Sequence, residues 1–151
     1  MKRMIILLFL FSLCGALCAI SDRELITDIE EIVDESLSLF NRLGKTGTEV
    51  IRGAEGGTIT YRTELTGFNR VLNTVEYEAF CRRGYIISGT ISNRTDWSGS
   101  GTSLSSFAIE GIESFCLEIE MSLLKKKRIE GNYCLKRENC EPIYIAYDSP
   151  D

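Results

Sequence analysis

The residues best suited to chemistry in this chain are its cysteines. The chain has six cysteines and no histidine. Cys81 begins the stretch CRRGYIISGT, where two arginines would lower a thiol pKa. A nucleophilic cysteine usually also needs an imidazole to take its proton, and this chain cannot supply one. The missing histidine also excludes Ser-His-Asp triads, HExxH zinc proteases and most imidazole-ligated metal sites. We therefore expect Cys81 to be structural.

Two pairs of glutamates are the remaining candidates for catalysis. Glu76 with Glu78, and Glu118 with Glu120, stand two residues apart in stretches that alternate polar and apolar residues. Each pair would share the polar face of a strand at about 6.5–7 Å, a separation that glycosidases can use. The solvated face of a strand also needs charge, and that interpretation is favoured. We predict no catalytic residue, no metal site and no cofactor, hence no enzyme.

The N-terminal residues have the pattern of a secretory signal peptide. Lys2 and Arg3 precede ten mostly apolar residues, 4–13, and small residues follow as far as Ala19. A membrane-spanning helix needs about 20 apolar residues, so we expect no stable membrane span after cleavage. The pattern predicts a signal peptide at residues 1–19 and a periplasmic, cell-envelope or secreted protein. Lipid attachment at Cys14 or Cys18 is the alternative.

The four cysteines after the predicted signal peptide are expected to form disulfides in an oxidising compartment. If residues 124–126 form a hairpin loop, Cys116 lies opposite Cys134 on the polar face of two paired strands, close enough for a bridge. Cys81–Cys140 then follows by elimination. Cys134–Cys140, across a five-residue loop, stays open as an alternative. A tetrathiolate zinc site is disfavoured because the chain has no CxxC pair.

An amphipathic helix is predicted for residues 20–43, where apolar residues recur every three or four positions. Ser21 and Glu24 have the spacing of a capping box, which satisfies backbone N–H groups at a helix start. Gly44 supplies a stop signal. The apolar stripe is expected to pack on a sheet of the same domain, with self-association through the helix as the alternative.

A sheet is predicted for residues 58–151, after a glycine-rich linker at residues 44–57 that contains at most one short strand, at residues 49–52. Apolar and polar residues alternate here with a period of two, which is typical of antiparallel strands covered on one side. Residues 82–84 fit a three-residue hairpin loop that would place Cys81 beside Tyr85 on the apolar face. The predicted class is α+β: the N-terminal helix packed on one face of a curved antiparallel meander of six or seven strands.

The net charge and the candidate exposed side chains limit the classes of partner that the protein could bind. The net charge is −5, so the chain lacks the broad basic face that nucleic acid requires. The basic run at Lys125, Lys126 and Lys127 is interpreted as a solvated turn or a partner contact. Trp97, in the loop NRTDWSGSGT, is a second candidate contact, and Asn93 begins a glycosylation sequon.

The segment NTVEYEAFCRRGYIISGTIS, residues 73–92, resembles a hairpin unit of bacterial exported and surface proteins of unknown function. The resemblance implies a secreted or cell-envelope β-domain and supplies no catalytic residue. We therefore expect a non-enzymatic exported binding or structural protein with a protein partner. A carrier of an apolar ligand or lipid in a cavity between sheet and helix is the alternative, since Gly89, Gly111 and Gly131 could leave space.

Overall fold

The structure is a computed structural model that describes residues 21–40, 46–96, 98, 100–111, 113–123 and 129–148. The signal peptide predicted for residues 1–19 lies outside the described residues. The chain divides into two compact units, residues 1–36 and residues 37–151.

The first unit contains helix α1, Asp22–Leu37. Its start is capped as the sequence predicts: the Ser21 N–H donates to Glu24 Oε2 at 2.9 Å, and the Glu24 N–H donates to Ser21 Oγ at 3.3 Å. These hydrogen bonds from the Ser21 backbone and side chain lower the pKa of Glu24. Four apolar side chains of the predicted stripe are buried: Leu25, Ile26, Ile29 and Ile32. Self-association through this stripe stays a prediction.

Helix α1 is shorter than the predicted helix 20–43. It has 16 residues and ends at Leu37, well before Gly44. The Ser36 hydroxyl donates to the Val33 carbonyl at 2.7 Å, and the Phe40 N–H donates to the Leu37 carbonyl at 3.2 Å. Serine hydroxyls offer the backbone such local alternatives to the helix. The apolar spacing continues beyond Leu37, so it did not reveal this stop.

The second unit is built around one sheet of eight strands, in which each strand pairs antiparallel with the next strand along the chain. The strands are β1 Gly47–Arg52, β2 Thr58–Leu65, β3 Arg70–Arg82, β4 Tyr85–Asp96, β5 Gly101–Glu110, β6 Phe115–Leu123, β7 Ile129–Arg137 and β8 Ile143–Asp148.

The predicted α+β class, with a long helix packed on six or seven strands, is wrong. The protein is mostly β: one eight-stranded meander accompanied, in the described residues, by the single 16-residue helix. The additional strand, β1, lies within residues 44–57, where the sequence predicts a linker with at most one short strand at residues 49–52. Val50 and Ile51 are β-branched residues that favour a strand, and they pair with Thr60 and Ile59 of β2.

One face of the sheet carries the apolar side chains. The alternation is regular in β5, where Phe107 and Ile109 are buried while Ala108 and Glu110 are exposed. The Tyr77 ring meets the Phe107 ring edge-on at 5.7 Å. Burying each such large side chain contributes roughly 1.5–3 kcal/mol. The buried apolar side chains of this face are Ile59, Tyr61, Val75, Tyr77, Ile87, Ile91, Phe107, Ile109, Phe115, Leu117, Tyr133 and Leu135.

The hairpin around Cys81 differs from the prediction. Its turn has two residues, Arg83 and Gly84, both with positive φ (52° and 80°), and Arg82 pairs with Tyr85. A β-bulge between Tyr77 and Phe80, with Ala79 at φ 47°, compensates for the shorter turn. The bulge reverses the alternation, so Phe80 is buried and Cys81 pairs with Ile86 instead of Tyr85.

The glycine-rich turn between β1 and β2, residues 53–57, lies against this bulge. The Cys81 N–H donates to the Gly56 carbonyl at 3.1 Å, and the Gly53 N–H donates to the Gly57 carbonyl at 3.0 Å. A Cβ on Gly57 would overlap the Ala79 carbonyl. These glycines therefore allow backbone to approach backbone, which gives them a packing role.

Candidate binding groove

The candidate site follows from the pairing of β6 with β7, where the predicted register is wrong by two residues. Cys116 pairs with Lys136 and Glu118 pairs with Cys134, so the two cysteines are not opposite each other. The reason is the length of the connection: Leu123 pairs with Ile129, which leaves residues 124–128 between the paired ends. The predicted register requires a three-residue loop at residues 124–126.

All four described cysteines are free thiols: Cys81 is half-buried, Cys116 and Cys140 are exposed, and Cys134 is buried. Neither predicted bridge, Cys116–Cys134 or Cys81–Cys140, is formed in the structure. The thiol of Cys81 donates to the Ala79 carbonyl at 3.4 Å, while the Cys140 N–H donates to the Arg137 carbonyl at 3.3 Å. Cys81 thus forms part of the bulge, and Cys140 lies in the turn before β8.

The new register brings side chains of β5, β6, β7 and β8 together on the polar face of the sheet. Glu118 pairs with Ser106 on one side and Cys134 on the other, and Tyr144 of β8 pairs with Cys134. Two residues further along β6, on the same face, Glu120 pairs with Leu104 and with Asn132. Together they line an open groove of about 440 Å³, and its polar-face residues are Leu104, Ser106, Glu118, Glu120, Asn132, Cys134 and Tyr144.

The rims of the groove are apolar and its floor is polar. The Tyr144 residue is 71% exposed and Leu104 is 53% exposed, although both lie on the face where strands carry polar residues. Between them the floor presents carboxylates and the Asn132 amide. Aromatic side chains with an exposed ring and a polar end are typical of contact surfaces.

The two glutamates on the floor of this groove differ in their ion pairing. Lys136 Nζ donates to Glu118 Oε1 at 2.6 Å, and this hydrogen bond raises the pKa of Lys136. Among the described residues, Glu120 has no hydrogen-bond or ion-pair partner. The groove therefore contains one neutralised carboxylate and one that is available to a cation.

The phenol of Tyr144 interacts with Cys134 in the groove. Its hydrogen bond with Cys134, together with the coulombic interaction between the two groups, raises the pKa of Tyr144 above its ordinary value. A phenol acting as a base or nucleophile would need the opposite shift. The arrangement is suited to contact and hydrogen bonding.

Trp97, Lys125, Lys126 and Lys127 lie outside the described residues. The loop that contains Trp97 is closed by Asp96, whose Oδ1 accepts from the Ser100 N–H at 3.1 Å.

Sequence reasoning missed Tyr144, Lys136 and Leu104. One signal was present: Tyr144 falls in IYIAY, a run in which an apolar or aromatic residue occupies every position, including those of the expected polar face. An aromatic residue on the expected polar face of a strand indicates a contact surface. The neighbours of Tyr144 in the groove depend on how the strands pair, and the sequence did not reveal that register.

A second polar cluster lies at the other side of the sheet, on its buried face. The Tyr61 hydroxyl donates to Asn73 Oδ1 at 3.1 Å, and the Thr63 hydroxyl donates to the same oxygen at 2.9 Å. Glu49 pairs with Tyr61 across the β1–β2 ladder, and its Oε2 atom is buried without a hydrogen-bond partner. This cluster is compact and satisfied apart from that one oxygen.

The three glycines that could have left space for an apolar ligand are closed by their neighbours. A Cβ on Gly89 would overlap the Ser106 carbonyl oxygen, and one on Gly131 would overlap the Glu120 carbonyl oxygen. A Cβ on Gly111 would lie 2.8 Å from the Tyr85 ring. Close approach of strands and rings, not an empty volume, accounts for these glycines.

Within the part of the chain that the structure describes, no cluster of three or more cysteine, aspartate or glutamate residues has an arrangement that could hold a metal ion. The described residues also contain no helix of the length and apolarity that a membrane crossing needs. The sequence matches no protein-family model, and neither a curated protein nor a solved structure matches it significantly.

Proposed function

We propose that this protein is an exported, non-enzymatic binding module whose contact surface is the groove across β5–β8. The observation that carries the proposal is the combination of exposed Tyr144 and Leu104 with an unpaired carboxylate, Glu120, in one open groove. Aromatic residues such as Tyr144 are enriched at contact surfaces.

The partner we propose is a protein segment with a lysine or arginine next to an apolar residue. Its cation would meet Glu120, since Lys136 already neutralises Glu118. Its apolar neighbour would cover Leu104 or Tyr144 and remove their exposed surface from water. The net charge of −5 would attract a basic segment at long range and increase its association rate.

The closed glycines count against the carrier of an apolar ligand or lipid, which was the alternative from the sequence. Organic extraction followed by mass spectrometry tests that alternative directly, and a stoichiometric lipid in the extract would favour it over the groove.

The groove is tested by an NMR titration with a blocked pentapeptide that has a central lysine between two leucines. We expect the backbone amides of β5–β8 to shift, with a dissociation constant of about millimolar order. Glu120→Gln should weaken binding about 2- to 5-fold, as expected for one exposed ion pair. Glu76→Gln is the matched control, because Glu76 is also exposed but lies on β3, outside the groove.

Two results would overturn this assignment. One is equal binding of the same peptide with glutamate in place of lysine, since the charge argument requires discrimination. The other is an unchanged affinity in Glu120→Gln while the shifts map elsewhere on the sheet.

Export is proposed from residues 1–19 alone, because the free thiols give it no support. Fractionation of producing cells, followed by mass spectrometry of the N-terminus, tests it. We expect the chain outside the cytosol and without those residues. Recovery of the intact chain from the cytosol would contradict export and leave the groove assignment standing.

A further inference from the structure

The end strands of the sheet are its least satisfied part. In the strand order, β1 and β8 each have one hydrogen-bonded neighbour among the described strands. The free side of an end strand presents unpaired N–H and C=O groups that can accept another strand. Natural sheets usually protect such edges with charged residues, prolines or bulges.

The two edges are protected to very different degrees. Strand β1, GTEVIR, carries Glu49 and Arg52 within its six residues. Strand β8, IYIAYD, has its one charge at its last residue, Asp148. It also lies between Pro142 and Pro150, the two prolines of the whole chain. Proline has no N–H to donate to a ladder, so these residues limit any added pairing to the segment between them.

We propose that β8 pairs antiparallel with β8 of a second copy of the chain. A two-fold axis through Ile145 places Ile145 opposite Ile145 of the second copy. Tyr144 then lies opposite Ala146, and Ile143 lies opposite Tyr147. Pairs of aromatic, β-branched and small apolar residues stabilise antiparallel ladders.

Self-pairing suits this strand because it opposes no like charges in that register. Asp148 lies opposite Pro142 of the second copy, outside the apolar segment. If each strand is shifted by one residue, Tyr144 lies opposite Asp148 of the second copy. The pairing of Tyr144 with Ala146 is then lost. The same surface of both copies is used, as a closed two-fold dimer requires.

The exposure of β8 is consistent with pairing to a second copy of the chain, and the short length of the strand sets the expected affinity. Tyr144 is 71% exposed and Ala146 is exposed, while Ile143 and Ile145 are half-buried. A six-residue strand buries less area than a standard interface, so we expect a dissociation constant of about 10 μM to 1 mM. Because each copy carries a net charge of −5, added salt should tighten the dimer by screening repulsion.

The test uses two double variants, each purified as the chain that accumulates in the producing cells. Tyr144→Lys with Ala146→Lys places lysine opposite lysine twice in the proposed register. Tyr144→Glu with Ala146→Glu places glutamate opposite glutamate twice. Each variant alone should be a monomer at concentrations where the wild type dimerises, measured by sedimentation equilibrium. An equimolar mixture should recover the dimer, because every lysine then meets a glutamate.

Val50→Lys is the matched control, since Val50 is 59% exposed on the other edge strand, β1. It should leave self-association unchanged. Circular dichroism and urea unfolding check that each variant is folded before its mass is measured.

Several outcomes would overturn the proposal. They are a wild type that stays monomeric up to about 1 mM, double variants that dimerise like the wild type, a mixture without recovery, or a loss of the dimer in Val50→Lys. Self-pairing does not depend on the peptide groove, so its failure would leave the peptide titration unaffected.

Discussion

Replacing Gly57 by alanine should separate the glycine-rich turn from the bulge of β3. Gly57 has φ +74°, and a Cβ there would overlap the Ala79 carbonyl and lie 2.6 Å from Phe80 Cα. Both obstacles are backbone atoms, so no side-chain rotation can relieve the overlap. Gly67 is the matched control, because its φ is +89° and its Cβ would have no heavy atom within 4 Å.

The magnitude follows from two contributions. Alanine in a left-handed conformation costs about 1–2 kcal/mol, and this applies to both positions. Forcing atoms into a closely packed site costs about 1–3 kcal/mol more, and this applies to Gly57 alone. We therefore expect Gly57→Ala to lower the free energy of unfolding by about 2–5 kcal/mol and Gly67→Ala by about 1–2 kcal/mol.

Urea unfolding followed by circular dichroism measures both variants. With a slope of about 2 kcal/mol per molar urea, the midpoints of the two variants should differ by about 0.5–1.5 M. A second readout is the alkylation rate of Cys81, whose Sγ lies 3.4 Å from the Cβ position of Gly56. The rate should increase in Gly57→Ala only. Equal destabilisation of both variants, with unchanged labelling of Cys81, would refute the packing of the glycine-rich turn against the bulge of β3.

Three further results are expected. Asn73→Ala leaves two buried hydroxyls without their acceptor and should lower the free energy of unfolding by about 2–4 kcal/mol, measured in urea; a change below that of an exposed substitution would contradict the buried cluster. Ser21→Ala should destabilise the helix by about 1 kcal/mol, measured by helical circular dichroism. Because the folded pKa of Glu24 lies below its ordinary 4.5, its contribution is fully present above pH 4.5 and is lost as the pH falls through the lower folded pKa, so acid should reduce the difference between wild type and Ser21→Ala. Alkylation without reductant should modify exposed Cys116 rapidly and buried Cys134 slowly, and a disulfide-linked peptide in the digest would contradict the free thiols.

The features that the sequence predicted well are those determined by local chemistry. The capping box at Ser21 and Glu24 depends on a three-residue spacing, and it is confirmed by both hydrogen bonds. The alternation of Phe107 and Ile109 with polar neighbours required only that one face avoid water. A sequential antiparallel arrangement of the strands likewise followed from short polar connections between alternating segments.

The features that it missed depend on strand register, which shifts by one residue at the bulge of β3 and by two residues after Leu123. Ala79 adopts φ 47° without being glycine or asparagine, so EYEAFC gives no local sign of a bulge. The connection after Leu123 is two residues longer than assumed, and this moved Cys134 from opposite Cys116 to opposite Glu118. The groove depends on that register, and therefore no pattern within one strand could have predicted it.

The sequential order of the strands has a consequence for how the chain becomes structured. Every ladder joins neighbours in the chain, so each strand can dock as soon as it follows its predecessor out of a ribosome or a translocation channel. The loop that must be closed at each step is short, and this favours rapid folding for a β protein. The growing assembly always exposes one fresh template, and β8 is the last of the described strands to be added.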